Sequence, residues 1–143
     1  MIKSDYLDAP LDKNELREII FDLKQKLKNI NFDAIAFCGN SGALVAPILA
    51  YELNKYILLV RKQAESCHSL YDVEGLYPGK KKYKYIILDD QIESGWTVKT
   101  IYKQINKYSS NLICAGIVLY LDGDSHPKSF KLGNKSVKIH RIN

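Results

Sequence analysis

Short apolar runs alternate with segments of helical period along most of this chain, and that alternation is the strongest restriction on its fold. Residues 32–38 (Phe-Asp-Ala-Ile-Ala-Phe-Cys), 56–60, 85–88 and 112–121 are four runs of strand length, bounded by polar or turn residues. Between them, apolar residues recur every three or four positions. Leu16, Ile19, Ile20, Leu23 and Leu27 mark one helix within residues 12–30, and Val98, Ile101, Tyr102 and Ile105 mark another. Asp12 followed by Glu15 has the form of a capping box at the start of the first. Residues 43–54 supply a third helix, in which Pro47 is tolerated only near the first turn. The order α-β-α-β-loop-β-α-β predicts an α/β chain with a Rossmann-like, mostly parallel sheet flanked by helices. Residues 61–82 read as a long loop or loose hairpin, and the polar tail 122–143 has one late strand candidate at 137–142.

At 143 residues the chain has room for one domain of this kind. Its 46% hydrophobic and 26% charged residues are ordinary globular proportions, which excludes a wholly disordered or collagen-like chain. The balance of 21 basic and 16 acidic residues leaves a net charge of +5, which favours anionic partners. The longest stretch without a charged or strongly polar residue, 42–51, is ten residues, against about 20 for a membrane-spanning helix. No membrane partner is expected. Met1-Ile2-Lys3-Ser4-Asp5 has neither the apolar core of a secretory signal nor the character of a transit peptide, so a cytoplasmic location is expected. Cys38, Cys67 and Cys114 cannot all pair internally and form no Cys-x-x-Cys motif, consistent with reduced thiols.

In a sheet of this type ligands gather beyond the carboxyl ends of the strands, so the residues leaving each strand carry the functional signal. The first exit is Cys38-Gly39-Asn40-Ser41-Gly42, where glycines let backbone approach a ligand and the next helix offers free N–H groups. The second is Leu88-Asp89-Asp90-Gln91-Ile92-Glu93-Ser94-Gly95-Trp96-Thr97. Asp89 and Asp90 can each accept hydrogen bonds from the vicinal hydroxyls of a sugar, and Ser94, Gly95, Trp96 and Thr97 can enclose a phosphate with N–H groups and hydroxyls. Read blandly, the two acids make a turn and Thr97 a helix cap. That reading leaves the pair of acids without a reason.

Four apolar residues, two acids, and an acid-hydroxyl-glycine-x-threonine loop resemble the 5-phosphoribosyl pyrophosphate (PRPP) motif of type I phosphoribosyltransferases. The resemblance extends from about Phe32 to Leu121, and Arg61-Lys62-Gln63-Ala64 is similar to the segment leaving the next strand in the orotate enzymes. It implies the type I phosphoribosyltransferase fold: a core at about 12–121, a flexible loop at about 63–82, and a small hood built from the chain ends, with the tail 122–143 as material. It implies that Asp89 and Asp90 hold the ribose hydroxyls of PRPP and, through them, Mg²⁺. Glu93 falls at the position of a candidate base, and Ser94 to Thr97 at the 5′-phosphate loop. The main chain at Gly39, Asn40, Ser41 and Gly42, with Arg61 and Lys62, faces the pyrophosphate, and His68 falls in the closing loop. The implied reaction is transfer of the phosphoribosyl group to a purine or an orotate-like pyrimidine, with a homodimer as the implied assembly.

Three departures from the motif stand out. Gln91 follows the acidic pair where an apolar residue is usual, and Trp96 occupies a place where glycine or lysine is commoner. Glu65 stands where the orotate enzymes' loop carries a lysine. With the basic run at 79–84, Glu65 motivates a second reading: a phosphoribosyltransferase-like regulator that binds PRPP or a nucleotide and an RNA, DNA or protein partner. The run serves equally as a solubilising approach to a buried strand. A third reading is a Rossmann-like nucleotide-binding protein outside the family.

Overall fold

The computed structural model describes residues 2–62, 70–79, 81–121 and 127–142. After a short helix α1 (Asp8–Leu11), the periodic segment becomes α2 (Lys13–Leu27). The Asp12 carboxylate caps it, accepting from the N–H groups of Asn14 at 2.8 Å and Glu15 at 2.9 Å, and so satisfies two donors that a helix start leaves open. Strand β1 (Ala34–Phe37) follows, then α3 (Asn40–Ala43), α4 (Ala46–Leu53), β2 (Tyr56–Val60), β3 (Val73–Gly75) and β4 (Tyr83–Asp89). Helix α5 (Trp96–Asn106) leads into β5 (Leu112–Leu119), and the hairpin β6 (Ser129–Leu132) and β7 (Lys135–Arg141) closes the chain.

The strands form one seven-stranded sheet in the order β3-β2-β1-β4-β5-β7-β6. The inner five strands, β2, β1, β4, β5 and β7, are parallel, and β3 and β6 pair antiparallel at the edges. Central β4 is buried on both faces from Tyr85 to Asp89, as a parallel strand covered by helices must be. Val98, Ile101 and Ile105 of α5 pack on one face, and Ile19, Ile20 and Leu23 of α2 with Leu49 of α4 on the other. All five parallel strands therefore end at one edge.

The expected α/β architecture is present, and four regions add detail to it. Residues 43–54 are not one helix: the chain turns after α3 and restarts as α4 with Pro47 in its first turn, where its missing N–H costs nothing. The hairpin reading of 61–82 is realised in β3, which registers Leu59 against Glu74. The strand expected at 85–88 starts at Tyr83, because Tyr83 and Tyr85 both bury their rings on the α5 side of the sheet. The tail lengthens the sheet. Residues 129–141 form the hairpin β6–β7, in which β7 takes the place of the late strand candidate at 137–142, and Leu132, Val137 and Ile139 alternate with polar residues and bury against the α5 layer. Among the described residues no helix is long and apolar enough to cross a membrane.

Leu23 is fully buried on α2, whereas Phe21, two residues earlier, is 62% exposed. Leu23→Ala is expected to cost about 3 kcal/mol in urea unfolding, and Phe21→Ala less than about 0.5 kcal/mol.

Candidate active site

At the carboxyl edge the exits of β1 and β4 and the start of α5 enclose a cleft of about 410 Å³. The β1 exit contributes Cys38, Gly39, Asn40 and Ser41, the β2 exit Lys62, and the β4 exit the continuous segment from Asp89 to Val98. Tyr6 reaches it from the N-terminal arm.

Asp89 lies at the floor, 6% exposed. Its Oδ1 accepts from the Ser41 hydroxyl at 3.3 Å and the Asp90 N–H at 3.0 Å. Burial, and after it the neighbouring Asp90 carboxyl, push its pKa up to about 7 against the opposing pull of the Asp90 N–H and the Ser41 hydroxyl. The Asp90 carboxylate turns back to accept from the Gln91 N–H at 2.8 Å. Two carboxyls side by side in a cleft favour partners that donate protons or carry positive charge.

A buried ring of hydrogen bonds sets where this pair sits. Tyr120, just beyond β5 and 3% exposed, donates its hydroxyl to the Ser41 carbonyl at 2.8 Å. Its own N–H donates to the Asp89 carbonyl at 3.3 Å, and the next N–H, of Leu121, to the Asp90 carbonyl at 2.9 Å. With Ser41 donating to Asp89, the exits of β1, β4 and β5 are tied together. Burial raises the Tyr120 phenol further above its usual range, so it stays a donor.

Gly95 has φ of +80° and caps α5. A side chain there is excluded twice, by that backbone conformation and because a Cβ would stand 2.5 Å from Phe130 Cζ on β6. The turn directs the first N–H groups of the eleven-residue α5 into the cleft, where the helix dipole favours an anion. Ser94 Oγ accepts from the Trp96 N–H at 3.3 Å, and Thr97 lines the wall. Opposite, Gly39 (φ +82°) bends the β1 exit, and Lys62 lies over it: a Cβ on Gly39 would be 3.4 Å from Lys62 Nζ. The cleft thus offers an acidic pair, a helix-start loop and a lysine over a second loop.

The structure gathers Asp89, Asp90, Glu93, Ser94, Gly95, Trp96, Thr97, Gly39, Asn40, Ser41 and Lys62 around this cleft. Glu93 is exposed and accepts from Gln91 Nε2 at 3.1 Å, and Trp96 is 52% exposed at the rim. Two expected residues are elsewhere. Arg61 does not line the cleft: it continues the β2–β3 hairpin, its N–H donating to the Asp72 carbonyl at 2.8 Å and its guanidinium pairing with Glu74 at 3.3 Å. Gly42 is buried against Phe37, where a Cβ would come within 2.6 Å of the Phe37 Cβ, so it serves close packing. His68 and Glu65 fall outside the described residues. Tyr6, Ile92 and Val98 line the cleft without having been expected. For Ile92 and Val98 the signal was their place inside the motif; Tyr6 meets the cleft through tertiary contact alone.

No family model matches the chain. Among curated proteins, the adenine phosphoribosyltransferase of Lachnoclostridium phytofermentans is 27% identical over 138 residues, covering 86% of this chain and 78% of that protein. Among solved structures, the orotate phosphoribosyltransferase of Aeropyrum pernix superposes with a TM-score of 0.70 at 15% identity, covering 97% of this chain and 76% of that one. The adenine phosphoribosyltransferase of Thermoanaerobacter pseudethanolicus does so with a TM-score of 0.63 at 21% identity, covering 83% and 75%.

Two outcomes follow from this geometry. Asp89 has a pKa of about 7 when folded and an ordinary carboxylate value when unfolded, so between those values the folded state holds a proton that the unfolded state releases. Stability therefore falls as pH rises through that window, and the loss is complete above about pH 7. Thermal melting of the unliganded protein is expected at a lower temperature at pH 8 than at pH 5.5 (roughly the two sides of the transition), with Asp89→Asn flattening the difference. Tyr120→Phe leaves the Ser41 carbonyl unpaired in a buried site and is expected to cost about 1–2 kcal/mol in chemical denaturation.

Proposed function

We propose that this chain, which belongs to the type I phosphoribosyltransferase family, transfers the 5-phosphoribosyl group of PRPP to a nucleobase and releases pyrophosphate. Adenine is the base we put first, because the curated relatives are named adenine phosphoribosyltransferases. The observation that carries the reading is the placing of Asp89 and Asp90 between the Gly95 loop and the Gly39–Lys62 wall of one cleft. A sugar diol between two anionic groups needs acceptors flanked by two anion sites, and this cleft has that order. The same relatives favour transfer over the regulator reading.

The residues divide the work. Asp89 and Asp90 accept the two ribose hydroxyls and fix C1 of the ribose. The first turn of α5, with Ser94 and Thr97, holds the 5′-phosphate through N–H and hydroxyl donors. Lys62 and the main chain at Gly39 to Ser41 take the pyrophosphate, whose bond to C1 breaks as a base nitrogen supplies the new electron pair. The proton displaced from the base passes to an acceptor near the rim, for which Glu93, exposed there, has the right chemistry.

Among the described residues no three His, Cys, Asp or Glu side chains converge on a point that suits a metal ion. A divalent cation fits instead as companion of the substrate, beside hydroxyls held by Asp89 and Asp90, whose adjacent carboxyls gain from a nearby positive charge. When bound, Mg²⁺ supplies neutralisation of the leaving pyrophosphate.

Isothermal titration with PRPP and Mg²⁺, followed by pyrophosphate release across a panel of bases, tests the reading. Binding of PRPP and release with adenine above the other bases are expected, and the Asp89→Asn/Asp90→Asn variant is expected to bind PRPP at least about tenfold more weakly. A wild-type protein that binds no PRPP, or an unaffected double variant, sinks it. PRPP binding with no turnover on any base restores the regulator reading.

A further inference from the structure

The positive charge of this chain is not spread evenly. Residues 94–143 hold eight of the 21 Lys and Arg residues but only two of the 16 Asp and Glu, at positions 122 and 124. The rest of the chain is close to neutral. Folding turns this asymmetry into a surface, because α5 and the β6–β7 hairpin are neighbours in space. Lys99, Lys103 and Lys107 line a shallow groove of about 490 Å³ together with Tyr102, Asn106 and the β6–β7 turn at Gly133. Lys135 lies in the adjoining hollow, which also shares Tyr102 and Asn106.

The three lysines follow one another at four-residue steps, so they stay in a row on one flank of α5, about 6 Å apart along its axis. None has a carboxylate partner among the described residues. Lys99 Nζ stands 5.7 Å from the centre of the Phe130 ring, and Lys107 Nζ donates to the neutral Gln104 Oε1 at 3.2 Å. Asn106 accepts from the Tyr85 hydroxyl through Oδ1 at 2.9 Å, which leaves its NH₂ donors for the groove. At the far end the Tyr83 N–H donates to the Asn111 carbonyl at 2.9 Å, bringing the exposed Lys81 and Lys82 beside the α5–β5 turn. Lys81 and Lys82, which belong to the basic run at 79–84 and which the proposed reaction does not use, thus continue the row.

We propose that this groove binds the phosphodiester backbone of single-stranded nucleic acid. The row of cations is too long for one small anion. Tyr102 lines the groove and the exposed Tyr108 follows Lys107 at the end of α5, so aromatic rings accompany the cations, the combination that holds single strands without sequence preference. A lipid surface fits less well, because Leu132, the aliphatic side chain lining the groove, is 1% exposed and has nothing to insert. The inference stands on the α5 flank and does not depend on the reaction proposed for the cleft.

Fluorescence anisotropy with a labelled, mixed-sequence single-stranded oligonucleotide, between about 50 and 200 mM salt, tests it. The wild-type protein is expected to bind, and Lys99→Gln/Lys103→Gln/Lys107→Gln to bind at least about tenfold more weakly, with the slope of log K against log salt shallower by about 2. A control of equal charge change, Lys13→Gln/Lys26→Gln/Lys28→Gln, removes exposed lysines on and beside α2, on the other face of the sheet, and is expected to bind within about twofold of wild type. Should the α5 triple variant melt early, Lys99→Gln/Lys103→Gln, which leaves the helix end at Lys107 intact, is expected to weaken binding in the same direction. Equal weakening by both triple variants means net charge alone is read and overturns the proposal. So does absence of binding at the lower salt, or binding to phosphatidylserine vesicles or an acidic peptide in place of the oligonucleotide.

Discussion

The site depends on a closed set of hydrogen bonds at the carboxyl edge of the sheet. Tyr120 holds the Ser41 carbonyl with its hydroxyl and the Asp89 carbonyl with its N–H, and Ser41 in turn donates to the Asp89 carboxyl. All three residues are buried. In a low-dielectric setting each missing bond leaves an unsatisfied group, so the set holds together or costs heavily in parts. It ties three strand exits that are far apart in sequence, the two ends of the tyrosine's bond standing 79 positions apart. The loop over which Lys62 lies and the acidic pair thereby keep a fixed relation before any ligand arrives, which is the pre-organisation that electrostatic catalysis needs.

That arrangement carries an electrostatic cost that the substrate relieves. Asp89 is buried next to another carboxyl, and its raised pKa measures the penalty of ionising it there. Hydroxyl donors and a cation accompanying them favour the ionised form, so the unliganded site stores a preference for the ligand proposed for it. The cationic residues are placed unequally around this acidic floor. Lys62 sits at the wall of the cleft, while Arg61 is spent on Glu74 in the edge hairpin. Most of the surplus lies along α5 and the terminal hairpin, away from the floor.

Much of the fold was legible because parallel α/β chains write their layers plainly. The Leu16 to Leu27 periodicity and the apolar runs at 34–37, 56–60 and 112–119 belong to elements that bury at least one face and so demand an apolar pattern. Strand β6 was missed because an edge strand of four residues, Ser-Phe-Lys-Leu, has too few alternations to stand out. The place of the tail in the sheet was not legible for a related reason: a short strand's local pattern does not say which strand it pairs with, and β7 finds its partner in β5. The split of residues 43–54 was signalled by Pro47 but not located by it.

For the site, the sequence by itself determined the chemistry on offer: two adjacent acids, a hydroxyl-glycine-threonine turn and a glycine loop, each at the end of an apolar run. Those are local properties, set by residue type and spacing within a dozen positions. Which of them share a cleft was decided by the tertiary structure, since strand order brings β1, β4 and β5 together and sets β7 beside β5. The same holds for single residues. Gly42 and Arg61 stand beside cleft residues in the chain, yet close packing against Phe37 claims one and the charge of Glu74 the other. Tyr120 and Tyr6 gain their places from contacts across the molecule, whose energies no local spacing records.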